Sequence, residues 1–333
     1  MPLDSINEQM AAISHSTTTT TTTASTKDIF VTTNATFAEK AHKHEAICNG
    51  TVQTSNRPVQ TSNGRAQAAN GPLTYTNPLP LKDRVAIVTG GSGGIGSEIS
   101  VHLAILGARV IVSYLGDPTP ADAVVFTINS LSLPLSPPRA IKVETDVSDE
   151  AQVKALFDKA QQAFGPEIHI LVTTAGVQDP TYPHIINSSV NQWERVFNVN
   201  AKGTFLCCRE GARRLVKGGG GRIITMSSST VGSIREGYGA YAATKAAIEV
   251  MTRVMAKELK GTGITANAVA PGPIATPMFY AGKTEEKVKA ASELSPMGRL
   301  GEPRDVAPMV GFLASDAGEW VNGQVIRING GYV

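Results

Sequence analysis

Cysteine is scarce in this sequence, and its spacing suits neither a disulfide framework nor a zinc site. Of 333 residues only three are cysteines, Cys48, Cys207 and Cys208, and none belongs to a Cys-x-x-Cys pair. Long apolar runs are also missing, since none approaches the roughly 20 residues needed to span a bilayer. The formal charge of +2 gives no electrostatic drive toward nucleic acid or an anionic membrane. These absences indicate reduced thiols in a reducing compartment and argue against nucleic-acid and membrane partners.

The first 80 or so residues lack large apolar side chains and any sustained hydrophobic period. Residues 17–23 are unbroken threonine, and the rest is rich in Thr, Ser, Asn and Ala. Such a segment cannot bury enough apolar surface to offset its ordering entropy, so we expect a disordered tail in a cytoplasmic protein. The alternative is a transit peptide for an organelle such as the chloroplast. Asp4, Glu8 and the absence of arginine before Arg57 argue against that alternative.

From Lys82 onward the pattern changes to short β-branched runs that alternate with helical periods. Seven strands are predicted, at residues 84–89, 109–114, 139–144, 168–173, 221–226, 264–270 and 324–328. The predicted helices run from the first glycine cluster to residue 106 and over residues 150–164, 190–216, 241–255 and 303–315. Crossover helices between strands predict an α/β fold with one doubly wound parallel sheet, in a single domain over residues 81–333.

The first strand leads directly into a glycine cluster, Gly90-Gly91-Ser92-Gly93-Gly94-Ile95-Gly96, and then into a helix. Glycines at this point let backbone N–H groups approach a pyrophosphate and aim the helix N-terminus at its charge. The order strand, glycine turn, helix, strand therefore predicts nucleotide binding.

A second stretch carries three consecutive serines and then Tyr241 and Lys245, which are four residues apart on a predicted helix. Residues at this spacing share one helical face, although chance supplies the same spacing in many helices. Position strengthens the interpretation, because ligands of such sheets lie beyond the carboxyl ends of the strands. The segments that follow strands are Gly90–Gly96, Asp146, Ala175-Gly176, Ser227–Ser229 and Pro271-Gly272.

The motifs of residues 81–333, taken in their order along the chain, resemble those of the short-chain dehydrogenase/reductase family. Within it, residues 205–210 and 319–324 are similar to plant NADPH-dependent aldehyde reductase-like proteins. The family implies a Rossmann-type, three-layer fold. The matching marks are Thr89-Gly90-x-x-x-Gly94-x-Gly96, Asp146-Val147, Ala175-Gly176, Asn200-x-x-Gly203, Ser229-x-x-Gly232, Tyr241-x-x-x-Lys245 and Pro271-Gly272.

The resemblance implies roles for particular residues. Tyr241 would exchange the proton with the substrate, Lys245 would favour the phenolate and hold the cofactor ribose, and Asn200 would position a water. A serine would bind the substrate oxygen; counting back from Gly232 favours Ser229, whereas counting from the strand favours Ser228. The implied cofactor contacts are Gly90, Ser92, Gly94, Ile95, Gly96, Ser113, Tyr114, Asp146, Val147, Thr174, Ala175, Gly176, Tyr241, Lys245, Pro271, Gly272, Ile274 and Thr276.

Departures from the family pattern bear on the cofactor. The second strand ends in Ser113-Tyr114 without the acid that holds an NAD ribose, and Asp117 comes too late to replace it. We therefore expect NADP(H) rather than NAD(H), although Gly93 stands where many NADPH users carry arginine. Thr173-Thr174 replaces the frequent Asn-Asn, which puts a supporting hydrogen bond in doubt.

The expected function is a carbonyl reductase, reversible as an alcohol dehydrogenase, that acts on a small-molecule aldehyde or ketone. The alternatives are an NAD-dependent biosynthetic alcohol dehydrogenase and a non-catalytic nucleotide-binding protein. Residues 276–300 would cover the substrate, with Met278, Phe279 and Tyr280 either lining an apolar pocket or packing within the cover. The family usually forms tetramers, so we expect a homo-tetramer or homo-dimer. We expect no metal site.

Overall fold

The strands form where apolar, mostly β-branched runs are bounded by turn residues, as expected for a sheet that is covered on both faces. The computed structural model describes residues 79–131 and 137–333, so the predicted tail lies almost wholly outside the described residues. The strands are β1 Val85–Thr89, β2 Arg109–Tyr114, β3 Ala140–Glu144, β4 Ile170–Thr173, β5 Arg222–Met226, β6 Thr265–Pro271 and β7 Val325–Ile328.

All seven strands pair in parallel in one sheet, in the order β3-β2-β1-β4-β5-β6-β7. The predicted doubly wound fold is therefore confirmed. Ala86 of β1 pairs with Val110 on one side and with Ile170 of β4 on the other. The strand order reverses between β1 and β4, and a crevice opens beyond their carboxyl ends, where such sheets bind ligands.

Helices cover both faces of the sheet. They are α1 Gly94–Ile105, α2 Thr119–Ser130, α3 Glu150–Phe164, α4 Val190–Phe197, α5 Gly203–Arg214, α6 Thr230–Ser233, α7 Gly239–Glu258, α8 Pro277–Tyr280, α9 Glu285–Glu293 and α10 Pro303–Ala314. On one face, Val88 and Val112 pack with apolar residues of α1, α2 and α10; on the other, Ile87 and Ile111 pack with residues of α3 and α5. Alternate residues of a strand point to opposite faces, which explains this division.

The helix predicted over residues 190–216 is interrupted. Between α4 and α5 the chain forms a π-helical turn at Asn198–Lys202, in which one extra residue is accommodated. The helices α2, α6, α8 and α9 were not predicted. α6 and α8 have only four residues each, α9 lies in the segment interpreted as a cover, and α2, with 12 residues, was missed between the second and third predicted strands.

The two described cysteines lie on the inner face of α5 as free, buried thiols. Burial raises the pKa of the Cys207 thiol to about 12, so it remains protonated and unreactive at neutral pH. Across residues 79–131 and 137–333, the structure contains no helix that is both long and apolar enough to cross a bilayer.

Candidate active site

The glycine loop between β1 and α1 closes tightly over the point where the strand order reverses. Gly90 has φ +61°, and a Cβ there would lie 2.9 Å from the Ala175 Cα atom. A Cβ on Gly96 would overlap the Gly90 carbonyl oxygen and crowd the Thr174 hydroxyl. These two positions therefore require glycine, because the backbones after β1 and β4 approach each other without room for a side chain.

Gly93, on the same loop, behaves differently. It immediately precedes α1, and a Cβ built on it would meet no atom within 4 Å. It lines the crevice, as does Gly94, the first residue of α1. The helix N-terminus, with its unpaired N–H groups, is thus placed to bind an anion such as a pyrophosphate.

The crevice has a volume of about 750 Å³ and gathers residues from the ends of several strands. Every predicted cofactor residue lines it except Ser113, whose side chain is buried and whose hydroxyl makes no hydrogen bond. Ser113 contributes its carbonyl instead, which accepts a hydrogen bond from Gly91 N at 2.8 Å. The lining residues that were predicted are Gly90, Ser92, Gly94, Ile95, Gly96, Tyr114, Asp146, Val147, Thr174, Ala175, Gly176, Tyr241, Lys245, Pro271, Gly272, Ile274 and Thr276.

At the β2 and β3 end of the crevice, Tyr114 rather than Ser113 faces the open space. Asp117 does not reach it, because its carboxylate accepts a hydrogen bond from Thr119 N at 2.9 Å at the start of α2. This contact lowers the pKa of Asp117. The Thr145 hydroxyl lines the same end and is buried without a hydrogen-bond partner. A polar ligand that reached this end would find a hydroxyl free to bind it and no carboxylate from β2.

Tyr241 and Lys245 lie one turn apart on α7, and both line the crevice. The Lys245 ammonium donates to the Met226 carbonyl at 2.8 Å and lies 5.4 Å from the centre of the Tyr241 ring. Burial lowers the pKa of Lys245 to about 8. Burial raises the pKa of Tyr241 to about 12, and the neighbouring Ser228 hydroxyl opposes that rise. Near neutral pH the phenol therefore holds its proton and can donate it.

The two candidate serines have different surroundings. Ser228 lines both cavities, its oxygen accepts from Thr230 N at 3.2 Å, and its hydroxyl is hydrogen-bonded to the Tyr241 phenol. Ser229 is buried and lines only the small cavity; its hydroxyl donates to the Ala270 carbonyl at 3.0 Å and accepts from the Asn329 amide at 3.1 Å. The geometry favours Ser228, which reverses the preference obtained by counting back from Gly232.

Asn200 lies in the π-helical turn, is fully buried and does not line the crevice. Its side-chain amide makes two hydrogen bonds with the backbone of Val177: it accepts from the N–H at 2.8 Å and donates to the carbonyl at 2.9 Å. It also donates to the Thr244 hydroxyl at 3.2 Å. A Cβ on Gly176 would lie 3.3 Å from the Asn200 oxygen and 3.7 Å from the Lys245 nitrogen. Asn200 thus connects the loop after β4 to α7, directly beside Lys245.

The Thr173-Thr174 departure has a local consequence. The Thr174 hydroxyl donates a hydrogen bond to the Thr89 carbonyl, so the ends of β1 and β4 remain connected without an asparagine. The Thr173 hydroxyl is buried without a partner.

A second cavity, of about 100 Å³, adjoins the crevice, and we refer to it as the small cavity. The residues that line both cavities are Ser228, Tyr241, Pro271, Gly272, Ile274 and Met278. Met278 and Phe279 line the small cavity, whereas Tyr280 lies outside it and packs edge to face with Phe279. Sequence reasoning missed the residues that give the small cavity its polar character, which are Gln178, Arg235, Tyr238, Lys283 and Tyr332.

Several residues of the large crevice were also missed. Some of them directly flank motifs that were recognised, and extending each motif by one or two residues would have included them. Arg195 and Asn198 lie five and two residues before Asn200, a relation that sequence reasoning did not use. The missed lining residues are Leu115, Thr145, Ser148, Val177, Arg195, Asn198, Val199, Met226, Ser227 and Pro277.

A family model described as enoyl-(acyl carrier protein) reductase matches residues 90–333. The chain is 55% identical over 260 residues to an "NADPH-dependent aldehyde reductase-like protein, chloroplastic" of Arabidopsis thaliana, covering 77% of this chain and 96% of that protein. It is 51% identical to "NADPH-dependent aldehyde reductase 2, chloroplastic" of the same plant, covering 76% and 95%. Among solved structures, a short-chain dehydrogenase/reductase from Serratia marcescens superposes with a TM-score of 0.70 at 31% identity, covering 76% of this chain and 99% of that one.

Proposed function

The chain belongs to the short-chain dehydrogenase/reductase family, and we propose that it reduces an aldehyde or ketone with NADPH. The observation that carries this proposal is the convergence of Tyr241, Ser228 and Lys245 in the crevice, where Tyr241 and Ser228 also line the small cavity. A cofactor in the crevice would present its reactive end to a carbonyl held beside the phenol. The reverse reaction, oxidation of an alcohol, uses the same residues.

The crevice fits a dinucleotide. The backbone-lined loop at Gly90 and Gly96 and the N-terminus of α1 would hold the pyrophosphate, and the unpartnered Thr145 hydroxyl offers a hydrogen bond at the far end. Pro271, Ile274 and Thr276 would contact the nicotinamide side. When bound, the nicotinamide supplies the hydride.

NADPH is favoured over NADH because no carboxylate from β2 enters the crevice. Tyr114 occupies the end of β2, and Asp117 caps α2 instead. A ribose phosphate is therefore not repelled there. The names of the two plant relatives, both NADPH-dependent, support the same choice.

The proton would come from Tyr241. Its raised pKa keeps the phenol protonated at neutral pH, so it can serve as the general acid when negative charge develops on the carbonyl oxygen. The Ser228 hydroxyl, beside Tyr241, would donate to the same oxygen and stabilise that charge. Lys245, beside the Tyr241 ring, favours the phenolate left after transfer. Asn200 would act indirectly by fixing the backbone next to Lys245, and the water it was expected to position remains part of the proposal.

Residues 81–333 would constitute the complete reductase, and residues 276–300 its cover. The cover contacts the loop after β4 where Tyr182 donates to the Ala281 carbonyl at 3.1 Å. Deleting residues 1–80 should leave kcat and KM unchanged; loss of activity would show that the tail takes part in the fold.

Assembly into a homo-tetramer or homo-dimer is supported by apolar side chains that α4, α5 and α7 leave exposed, among them Val190, Trp193, Phe205 and Val250. Light scattering that gave a monomer mass would contradict it. For location, the two relatives named chloroplastic favour the chloroplast over the cytoplasm. Import of the full chain, but not of residues 81–333, into isolated chloroplasts would support this.

The decisive experiment is a panel of aldehydes and ketones tested with NADPH and NADH. We expect turnover with NADPH that falls by about three orders of magnitude in Tyr241→Phe. Tyr280→Phe, an exposed tyrosine outside both cavities, is the matched control. Tight NADPH binding without turnover would instead support a non-catalytic nucleotide-binding protein, and better use of NAD with alcohols would support a biosynthetic dehydrogenase.

A further inference from the structure

The small cavity carries two positive charges and no negative side chain. Arg235 and Lys283 line it, and its other lining residues include no aspartate or glutamate. The nearest acid in sequence, Glu236, is directed toward His184, with 3.9 Å between its carboxylate oxygen and His184 Nε2. Within residues 79–131 and 137–333, neither Arg235 nor Lys283 forms an ion pair with a carboxylate. The cavity therefore has an uncompensated positive charge.

Lys283 is held in place by neutral groups. Its ammonium donates to the Tyr182 phenol and, at 2.5 Å, to the Phe279 carbonyl. It also lies 4.4 Å from the centre of the Tyr182 ring and 4.5 Å from that of Phe279. Burial, together with Arg235 and Lys287, lowers the pKa of Lys283 to about 8. A cation that is partly desolvated and pre-positioned without a counter-ion would be stabilised by a bound anion.

Two further features of the small cavity limit the size and the polarity of a ligand that carries this anion. The side-chain nitrogen of Gln178, buried in the same wall beside the Tyr238 phenol, can donate to an oxygen. The cavity volume of about 100 Å³ is small beside the roughly 300–1,000 Å³ of pockets for drug-sized ligands. The ligand is therefore short as well as anionic.

We propose that the substrate is a short oxo acid whose carbonyl oxygen meets Tyr241 and Ser228 and whose carboxylate is bound by Lys283, with Arg235 at the cavity mouth. This inference rests on the proposed carbonyl reductase activity. The hydride from NADPH adds to the carbonyl carbon, and the Tyr241 proton adds to its oxygen. The products are the hydroxy acid and NADP⁺, and solvent restores the proton to the phenol.

The test compares each acid with its neutral ester. Oxo acids from glyoxylate through succinate semialdehyde to adipate semialdehyde, and their methyl esters, are assayed with NADPH. We expect the best acid to exceed its ester in kcat/KM by about tenfold or more, the size of one charge-assisted hydrogen bond. In Lys283→Gln this ratio should fall about tenfold, mainly through KM, and in Arg235→Gln by less, because Arg235 is exposed.

Two variants control for folding and for net charge. Lys283→Arg keeps the positive charge and should restore most of the acid-to-ester ratio. Lys287→Gln removes an exposed charge on α9 that does not line the cavity, and should leave the ratio unchanged. Equal kcat/KM for acids and esters in the wild type, or the same ratio in Lys283→Gln, would overturn the inference while the reductase activity stands.

A binding measurement separates this inference from the proposed function. Calorimetry of the NADP⁺-loaded protein with succinate should detect binding that Lys283→Gln weakens about tenfold and Lys287→Gln does not. If succinate binds in this way but no carbonyl compound is turned over, the anion site stands and the reductase proposal fails. If succinate does not bind while neutral aldehydes are reduced, the inference is overturned.

Discussion

The crevice and the small cavity meet at Tyr241, but the crevice is lined mainly by backbone and the small cavity mainly by side chains. The crevice is walled by backbone, with Gly90 and Gly96 packed so closely that any side chain there would collide with a neighbouring chain segment. The small cavity is walled by long side chains, such as Arg235 and Lys283, that extend from loops. A backbone wall holds one shape for one cofactor, whereas a side-chain wall can change its chemistry without altering the fold.

The contrast between the crevice and the small cavity is tested most strongly at Ser228 and Tyr241, which line both. Ser228→Ala removes the hydroxyl beside Tyr241, and we expect kcat/KM to fall by about 10²–10³-fold with little change in Tm. Ser229→Ala removes hydrogen bonds to Ala270 and from Asn329 inside the fold, so it should lower the free energy of unfolding by about 1 kcal/mol and kcat/KM by less than about threefold. Steady-state kinetics and thermal unfolding of both variants check this. The reverse pattern would assign the substrate oxygen to Ser229.

The backbone wall is tested by two alanines on one loop. Gly96→Ala places a Cβ against the Gly90 carbonyl and should weaken NADPH binding by about 30- to 100-fold, because the loop must move. Gly93→Ala, at φ −124° and facing open space, should change the dissociation constant by less than about threefold. Fluorescence titration with NADPH measures both. Equal losses would mean that the loop rejects side chains generally, rather than at the points of close approach.

A third prediction asks whether a single side chain in the crevice can change the preference for NADPH over NADH. Tyr114→Asp puts a carboxylate where the β2 end faces the open space, and should shift the ratio of NADPH to NADH affinities by about tenfold toward NADH. Ser113→Asp, one residue earlier, buries an unpaired charge instead, and should lower Tm without the same shift. If Ser113→Asp changed the preference more than Tyr114→Asp, the assignment of the β2 end would be wrong.

The smallest expected effect concerns stability, and it comes from the buried Lys245 in the wall of the crevice. Because burial lowers the pKa of Lys245 to about 8, its ammonium destabilises the fold at neutral pH. The wild type should gain stability between about pH 8 and the ordinary lysine pKa near 10.4, where the unfolded chain binds the proton more strongly. We expect Lys245→Met to be inactive but about 1 kcal/mol more stable at pH 7, with the advantage shrinking by pH 9.5. Urea unfolding at both pH values checks this, and a pH-independent difference would contradict it.

The fold and the crevice could be predicted from the sequence because both depend on local patterns. β-branched runs predicted β1 and β2 to within one residue, and glycines that follow a strand have a steric cause that is independent of the rest of the chain. Ser113 and Tyr114 show the limit of this reasoning. Neighbours in a strand face opposite ways, and only the structure shows which of the two faces the crevice.

The small cavity could not be predicted, since its residues are far apart in the sequence and follow no spacing. Gln178 comes from the loop after β4, Arg235 from the segment before α7, and Lys283 from between α8 and α9. The choice between Ser228 and Ser229 depends on contacts of the same kind. The Ser229 N–H donates to the Pro271 carbonyl, a contact between distant segments that a count from Gly232 does not include, and Ser229 lines the small cavity but not the crevice.

The π-helical turn at Asn198–Lys202 has a consequence for the length of the chain. It accommodates one residue more than a regular α-helix would hold, so deleting that residue would restore regular helix and leave α4 and α5 in phase. The deletion would remove only the widened turn that holds Asn200 against the Val177 backbone. The extra residue therefore serves the position of Asn200 beside Lys245 and not the course of the helix, and a chain one residue shorter here could keep the fold while it lost this contact.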